Sequence, residues 1–247
     1  MATYNGALYL REQVESILAQ LEPRDELVVV DDCSSDTSVA VLRGFGDPRV
    51  SIHINEVTLG VCASFQKALT MASGELLSMA DQDDIWPAGR VAAIKNEARW
   101  RPEALLISGR IRCFKDDTGE RSELGINIES KHSNAHVWNL IRIIAGVLPY
   151  LGCGMTVRRE LLRTVLPIPT YVESHDLWIA IAANIMRRNS HLDVVVVERR
   201  VHGANVSLRK RPLWSKLKSR WIHLRSTVQL LRRTSRRPSS HAWDVKS

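Results

Sequence analysis

The stretch Ala80-Asp81-Gln82-Asp83-Asp84-Ile85-Trp86 places three carboxylates within four residues, directly after the apolar run Leu76-Leu77-Ser78-Met79-Ala80. A strand ending in such a cluster presents hard oxygen ligands at its carboxyl end, where open α/β sheets bind their ligands. Mg²⁺ and Mn²⁺ seek oxygens of this kind and are commonly shared with phosphates. An acidic turn on a solvated surface fits the same residues, since Asp-x-Asp alone is a weak signal. The neighbouring segments decide between the two.

Upstream, Glu26-Leu27-Val28-Val29-Val30 is a β-branched run that predicts a buried strand, and it ends in Asp31-Asp32. Before it, Leu8, Val14, Ile17, Leu18 and Leu21 recur at helical spacing. After it, Asp36 or Thr37 can cap a helix running through Leu42. Val50-Ser51-Ile52-His53-Ile54 alternates like a strand, and Phe65, Ala68, Leu69 and Ala72 mark a helix face stopped by Gly74. Beyond Asp81, a helix is expected from Val91 to Trp100 and a strand over Ala104 to Ser108. This rhythm predicts an α/β fold with a parallel sheet and right-handed crossovers. Residues 115–135 read as a polar, mobile loop. Leu151 to Val157 reads as a strand, Leu177 to Ala182 as an opening helix and Asp193 to Val197 as a late strand.

With 247 residues the chain can bury one substantial core. Cys33, Cys62, Cys113 and Cys153 show no C-x-x-C spacing, which suggests reduced thiols in a cytosolic setting rather than a zinc or redox motif. The apolar stretch from Ile143 to Val157 is too short to span a membrane and is broken by Gly146, Pro149, Gly152 and Gly154. Net charge is +7, but residues 209–237 hold eleven Lys/Arg and no Asp or Glu; without them 23 basic residues face 27 acidic ones, a net of −4. The basic excess thus belongs to the tail. No recognition motif accompanies it, so no nucleic-acid partner is expected.

Four clusters line up in order: Ala2-Thr3-Tyr4-Asn5-Gly6 before a helix, Asp31-Asp32-Cys33-Ser34-Ser35-Asp36 at a strand end, Asp81-Gln82-Asp83-Asp84, and Ser174-His175-Asp176-Leu177-Trp178 at a helix start. Singly they fit a turn, a helix cap or a pair favoured by a helix dipole. Three acidic strand-to-helix junctions in one α/β chain are harder to dismiss.

As an ordered set these motifs resemble the family 2 glycosyltransferases of GT-A fold, and most of all the rhamnosyltransferase-like subset with its Ser-Asp-Gln-Asp-Asp-Ile-Trp and His-Asp-x-Trp motifs. The resemblance runs from Ala2 to about Ser207. It implies a glycosyltransferase domain over residues 1–207, with a Rossmann-like, mostly parallel sheet flanked by helices, and a basic tail over residues 208–247. Such enzymes transfer a sugar from a nucleoside diphosphate sugar to an acceptor hydroxyl with inversion.

Roles follow from the resemblance position by position. Tyr4 would lie against the nucleotide base. Asp32 would accept a hydrogen bond from the base imide, which suits a UDP- or dTDP-linked donor, with Asp31 assisting. Asp83 would touch Mg²⁺ or Mn²⁺, and Asp81 would face the ribose or the metal. Asp84 would stand behind them. Asp176 would be the general base, with a plain helix cap as its alternative role. Val201-His202-Gly203-Ala204-Asn205-Val206-Ser207, with Arg200 just before it, resembles a late family segment in which His202 would help bind the diphosphate or the metal. Gly152-Cys153-Gly154 resembles a small-residue strand on the acceptor side. A sugar nucleotidyltransferase would need a Gly-rich phosphate loop, for which Asn5-Gly6 is no substitute.

Family members begin with an apolar strand of roughly five residues before the Thr-Tyr-Asn motif, of the kind typical in buried parallel sheets. This chain starts at Met1, inside or after that strand. The expectation is therefore a truncated first strand with exposed neighbouring edges. Either the native protein starts upstream of Met1, or the chain is fragile or an inactive nucleotide-sugar binding or scaffold protein. In the tail, Trp214, Leu217, Trp221, Leu224, Val228 and Leu231 fall on one helix face, with Lys216, Lys218, Arg220, Arg225 and Arg232 on others. This pattern suits a helix lying in a membrane interface beside a saccharide or lipid-linked acceptor, and equally a helix packed on the main domain. Cell-surface polysaccharide synthesis on the cytoplasmic face of the membrane is the expected setting. Ser239 to Ser247 read as disordered.

Overall fold

A computed structural model of the chain describes residues 1–116, 118–123, 128–148, 150–202 and 212–235. The expectations for residues 203–207 and 239–247 fall outside them. A two-residue strand, β1 (Ala2–Thr3), runs parallel to β2 (Leu27–Asp31), and β2 runs parallel to β3 (Val50–Ile54). β2 is buried along its whole length, as a strand covered on both faces must be. Helix α1 (Ala7–Leu18) connects β1 to β2 and buries Leu10, Gln13, Val14 and Ile17, a stripe at three- and four-residue spacing. The short α2 (Ser38–Arg43) leads to β3, and α3 (Val61–Met71) leads out of it. Asp36 rather than Thr37 tethers the start of α2, since its Oδ1 accepts the Ser38 N–H at 2.9 Å.

The second sheet contains β4 (Leu76–Ser78), β5 (Leu106–Lys115), β6 (Arg121–Glu123), β7 (Met155–Arg158) and β8 (Asn189–Val201). β7 lies antiparallel between β4 and β5. β6 extends the same edge of β5, and β8 runs parallel along the other edge. Only β6 and β7 run against their sheet's majority direction. Four more helices pack on this sheet: α4 (Arg90–Trp100), α5 (His136–Ile144), α6 (Arg159–Val165) and α7 (His175–Ile185). α7 is buried almost all round from Trp178 to Asn184. Asn184 is accommodated there because its Nδ2 donates to the Tyr150 hydroxyl and the Ala180 carbonyl. A last helix, α8 (Leu213–Ser235), docks on α7 and α6, with Leu230 in the main core.

The sequence reading differs from the structure at several elements. The segment expected to be loop, residues 115–135, contains β6 and a short 3₁₀ turn at Ser130–His132. Leu151 to Gly154 is not strand; Gly152–Gly154 form a 3₁₀ turn before β7. α5 and α6 lie outside the elements that the sequence predicts. Met1 to Thr3 occupy a strand position, with the Met1 amino group donating to the Val28 carbonyl at 2.8 Å and the Met1 carbonyl accepting the Val30 N–H at 3.0 Å. Among the described residues no strand pairing joins β1 to β4, so the sheet is divided in two. A cavity of about 360 Å³ borders that division, lined by Met1, Leu27, Val28, Leu69, Leu76 and Met79 among others.

Candidate active site

β1 and β4 end side by side, and their loops are stitched together by one amide. Gln82 Oε1 accepts both the Thr3 hydroxyl, at 2.8 Å, and the Tyr4 N–H, at 2.7 Å, while its Nε2 donates to the Tyr4 carbonyl at 3.2 Å. Position 6 must be glycine for this contact, because a Cβ there would lie 2.5 Å from Gln82 Oε1. Tyr4 is left half exposed at the rim. Gln13 fixes the same loop from α1, donating to the Asp81 carbonyl at 2.8 Å.

The two aspartates after β2 are both engaged. Asp31 is fully buried and accepts the Ser34 N–H at 2.9 Å and hydroxyl at 2.6 Å, which closes the strand-to-helix turn. Asp32 accepts the Leu59 and Gly60 N–H groups and the Asn55 amide, each at 2.8 Å. Burial works against its charge, but these donors more than offset it and hold the carboxyl below its ordinary range.

Beyond β4 the carboxylates crowd. Burial first, then the charges of Asp84, Asp83 and Asp176, push the Asp81 carboxyl up. Burial and Asp83 do the same to Asp84. A sulfur converges with two of these oxygens: ligand atoms of Asp81, Asp84 and Cys153 all lie within 4.8 Å of one another. Asp84 Oδ1 accepts the Arg200 N–H at 3.3 Å, and its buried Oδ2 makes no well-formed hydrogen bond. Burial and the nearby Asp84 hold the Cys153 thiol well above its usual range, hence protonated. The carboxylate oxygens of Asp81 and Asp84 are hard donors of the kind that fit Mg²⁺ or Mn²⁺. Asp83, expected to touch the metal, lies 2.9 Å from His202, which was expected near the diphosphate or the metal.

Asp176 opens α7 beside this cluster. Its Oδ2 accepts the Gly152 N–H at 3.2 Å, and its Oδ1 accepts the Ser174 hydroxyl and the Leu177 N–H. The adjacent His175 is buried and stacked on Phe65 at 4.2 Å; burial lowers its pKa. A Cβ at position 152 would meet His175 Nε2 at 3.0 Å and Asp176 Cβ at 3.6 Å, so Gly152 lets the turn bearing Asp176 approach the cluster.

Sequence reasoning missed Gln82 and Arg90. Arg90 is buried, stacks 3.9 Å over Trp86 and donates to the carbonyls of Val196 and Cys153, at 2.9 and 2.8 Å. It thereby clamps the acidic loop to β8 and to the Gly152–Gly154 turn. Arg200 bridges Glu12 and Asp116 and lies over Tyr9 and Phe114.

The Glycosyl transferase family 2 model matches residues 1–166. A putative teichuronic acid biosynthesis glycosyltransferase of Bacillus subtilis is 34% identical over 118 residues, which are 47% of each chain. A putative colanic acid biosynthesis glycosyl transferase of Escherichia coli is 30% identical over 136 residues, 54% of this chain and 49% of the relative. The chain thus spans about half the length of these relatives, or less in other matches. Among solved structures, Staphylococcus aureus TarS 1–349 in complex with UDP-GlcNAc matches with a TM-score of 0.69 and 17% identity, covering 94% of this chain and 70% of that one. A Pyrobaculum calidifontis mannosyltransferase in complex with GDP-Man and Mn²⁺ matches at 0.61 and 20%, covering 95% and 72%.

Proposed function

The chain belongs to glycosyl transferase family 2 and has the GT-A fold, and from that premise we propose that it is an inverting, metal-dependent glycosyltransferase of cell-surface polysaccharide synthesis. Its donor is a UDP- or dTDP-linked sugar, with rhamnose favoured by the motif pattern. Its acceptor is a saccharide or lipid-linked saccharide on the cytoplasmic side of the membrane. Relatives named for teichuronic and colanic acid synthesis support this setting. Among the described residues no helix is long and apolar enough to cross a membrane.

The observation that carries the proposal is the convergence of Asp176 with the acidic loop. Gly152 donates to Asp176 while the next residue, Cys153, has its sulfur within 4.8 Å of carboxylate oxygens of Asp81 and Asp84. Tyr4 offers an exposed ring to the base. Asp32 holds the 55–60 segment and is the residue assigned to the base imide. Asp31 closes the turn after β2 through Ser34. Asp81, Asp83 and Asp84 would hold the divalent cation, with His202 beside Asp83. When bound, the cation offsets the charge of the departing diphosphate. Asp176 takes the proton of the acceptor hydroxyl as its oxygen bonds to the anomeric carbon. The bond from that carbon to the diphosphate oxygen breaks, and the electron pair leaves with the nucleoside diphosphate. One displacement needs one base and inverts the centre.

The test is Asp176→Asn, assayed for nucleoside diphosphate release with a lipid-diphosphate-linked saccharide acceptor. Turnover should fall about 10²- to 10⁴-fold, the usual contribution of a positioned base. Donor binding with Mn²⁺ should be retained. A wild-type chain that binds donor without turnover would identify an inactive binding protein instead.

A further inference from the structure

We propose that α8 seats this protein on an anionic bilayer surface and straps the segment bearing Asp176 to that same side. This rests on the transferase reading above only for its acceptor. The face of α8 that meets the body carries Ser226 and Leu230, both buried, and Leu230 packs in the core with Ile143, Leu148 and Trp178. About half a turn of rotation away lie Trp214, Leu217, Trp221, Leu224, Val228 and Leu231, all exposed. The apolar stripe of this helix is therefore not its packing face; the body is held by a different one. Trp214 is 82% and Trp221 66% exposed, far from what a soluble surface ordinarily leaves of so large a side chain.

The charges around the stripe select the occupant. Lys216 and Arg220 flank it on one side, and Lys218, Arg225 and Arg232 on the other. Leu213–Ser235 contains no acidic residue. Tryptophans on an apolar ridge between two rows of cations match the interface of an anionic membrane, where rings sit at headgroup depth and cations meet lipid phosphates. A second copy of the chain would be opposed, because an isologous contact along this ridge sets like rows of cations against each other.

The edge of α8 that carries Lys218, Arg225 and Gln229 is tied to the residues just before Asp176. Lys218 Nζ pairs with Glu173 at 2.6 Å, the Tyr171 hydroxyl donates to Gln229 at 2.7 Å, and the Arg225 guanidinium lies 3.9 Å over the Tyr171 ring. Tyr171 and Glu173 lead directly into Ser174-His175-Asp176. A surface that binds the ridge thus lies on the side of the molecule from which the Asp176 segment is held, which suits an acceptor anchored in lipid.

Co-sedimentation with phosphatidylcholine vesicles, with and without phosphatidylglycerol, tests the proposal. The full chain is compared with Trp214→Ser/Trp221→Ser and with Lys216→Glu/Arg220→Glu, all at exposed positions. Binding is expected only to the anionic vesicles and at least ten-fold weaker in both double variants. The melting shift given by UDP with Mn²⁺ should be the same in all three proteins, which shows that the variants are folded. Glu173→Gln should bind vesicles normally and lose rate enhancement by them. No binding to anionic vesicles, undiminished binding by the variants, or a dimer in wild type that the variants dissolve would each overturn the proposal. A wild-type chain that binds vesicles but shows no UDP–Mn²⁺ shift would instead count against the transferase reading and leave the membrane surface standing.

Discussion

His202 Nε2 lies 2.9 Å from Asp83 Oδ2, and the same imidazole stacks on Tyr9 with ring centroids 4.6 Å apart. The pair joins the end of β8 to the loop after β4, so a histidine supplied late in the chain faces a carboxylate of the acidic loop. A cation taking Asp83 as ligand must share or replace this contact. Asp83→Asn should abolish the metal-dependent part of the melting shift given by UDP with Mn²⁺, which for wild type at 100 times the dissociation constant corresponds to about 2.7 kcal/mol. His202→Ala should reduce the shift without abolishing it. An Asp83→Asn protein with an undiminished shift would remove Asp83 from the metal site.

The crowded carboxylates give a pH prediction. Asp81 and Asp84 have folded-state pKa values above the ordinary 3.8, through burial and then the charges of neighbouring aspartates. Their contribution to stability is therefore fully present below that ordinary value and is lost as pH rises through the raised ones. Without metal, stability from this pair should decline with rising pH above the ordinary carboxylate range. Mn²⁺ displaces the protons, so its stabilising effect should grow over the same interval. Urea titrations with and without Mn²⁺ at a series of pH values would measure it. A metal effect independent of pH would contradict the assignment.

Gly152→Ala separates positioning from folding. The new methyl group would press on His175 and Asp176, whose nearest atoms lie at 3.0 and 3.6 Å. The turnover number should drop by one to two orders of magnitude, by misplacement of a base. Donor affinity, measured by the UDP–Mn²⁺ melting shift, should hardly change.

Arg90→Met tests the clamp beneath the acidic loop. The substitution keeps bulk over Trp86 but strips the carbonyls of Val196 and Cys153 of a buried donor. Each such loss costs about 1–3 kcal/mol, so urea unfolding should show a decrease of roughly 2–6 kcal/mol. Arg90→Lys should rescue little, since one ammonium cannot reproduce the planar fork that reaches separate carbonyls.

The parts of the fold that were legible are those where composition and period agree. The uniform apolar run into Asp31 could only be a covered strand, and the Asp81–Asp84 group stood out because it follows another. α5 has a helical pattern, with His136, Asn139 and Arg142 recurring among apolar residues, but the pattern misstates the buried side: Val137, Trp138 and Ile141 are exposed while Asn139 and Ile143 are buried, and Ala135 gives no capping signal. Arg90 opens a helix and reads as solvated until the structure shows the carbonyls it serves. Gln82 reads as a spacer between aspartates, although its amide joins two strand ends. The pairing of Asp83 with His202 depends on residues far apart in sequence, which no local spacing encodes.

The division between β1 and β4 has a consequence for how the molecule breathes. Backbone ladders hold β1–β3 together and β4–β8 together, but among the described residues only side chains bridge the two groups. Amide exchange should therefore reveal two units that open separately, with Asp32 in one and Asp83 and Asp176 in the other. A nucleotide sugar reaching from Asp32 to the acidic loop would cross that seam. On binding, the two opening transitions should merge into one, so that the substrate itself supplies cooperativity the empty sheet lacks.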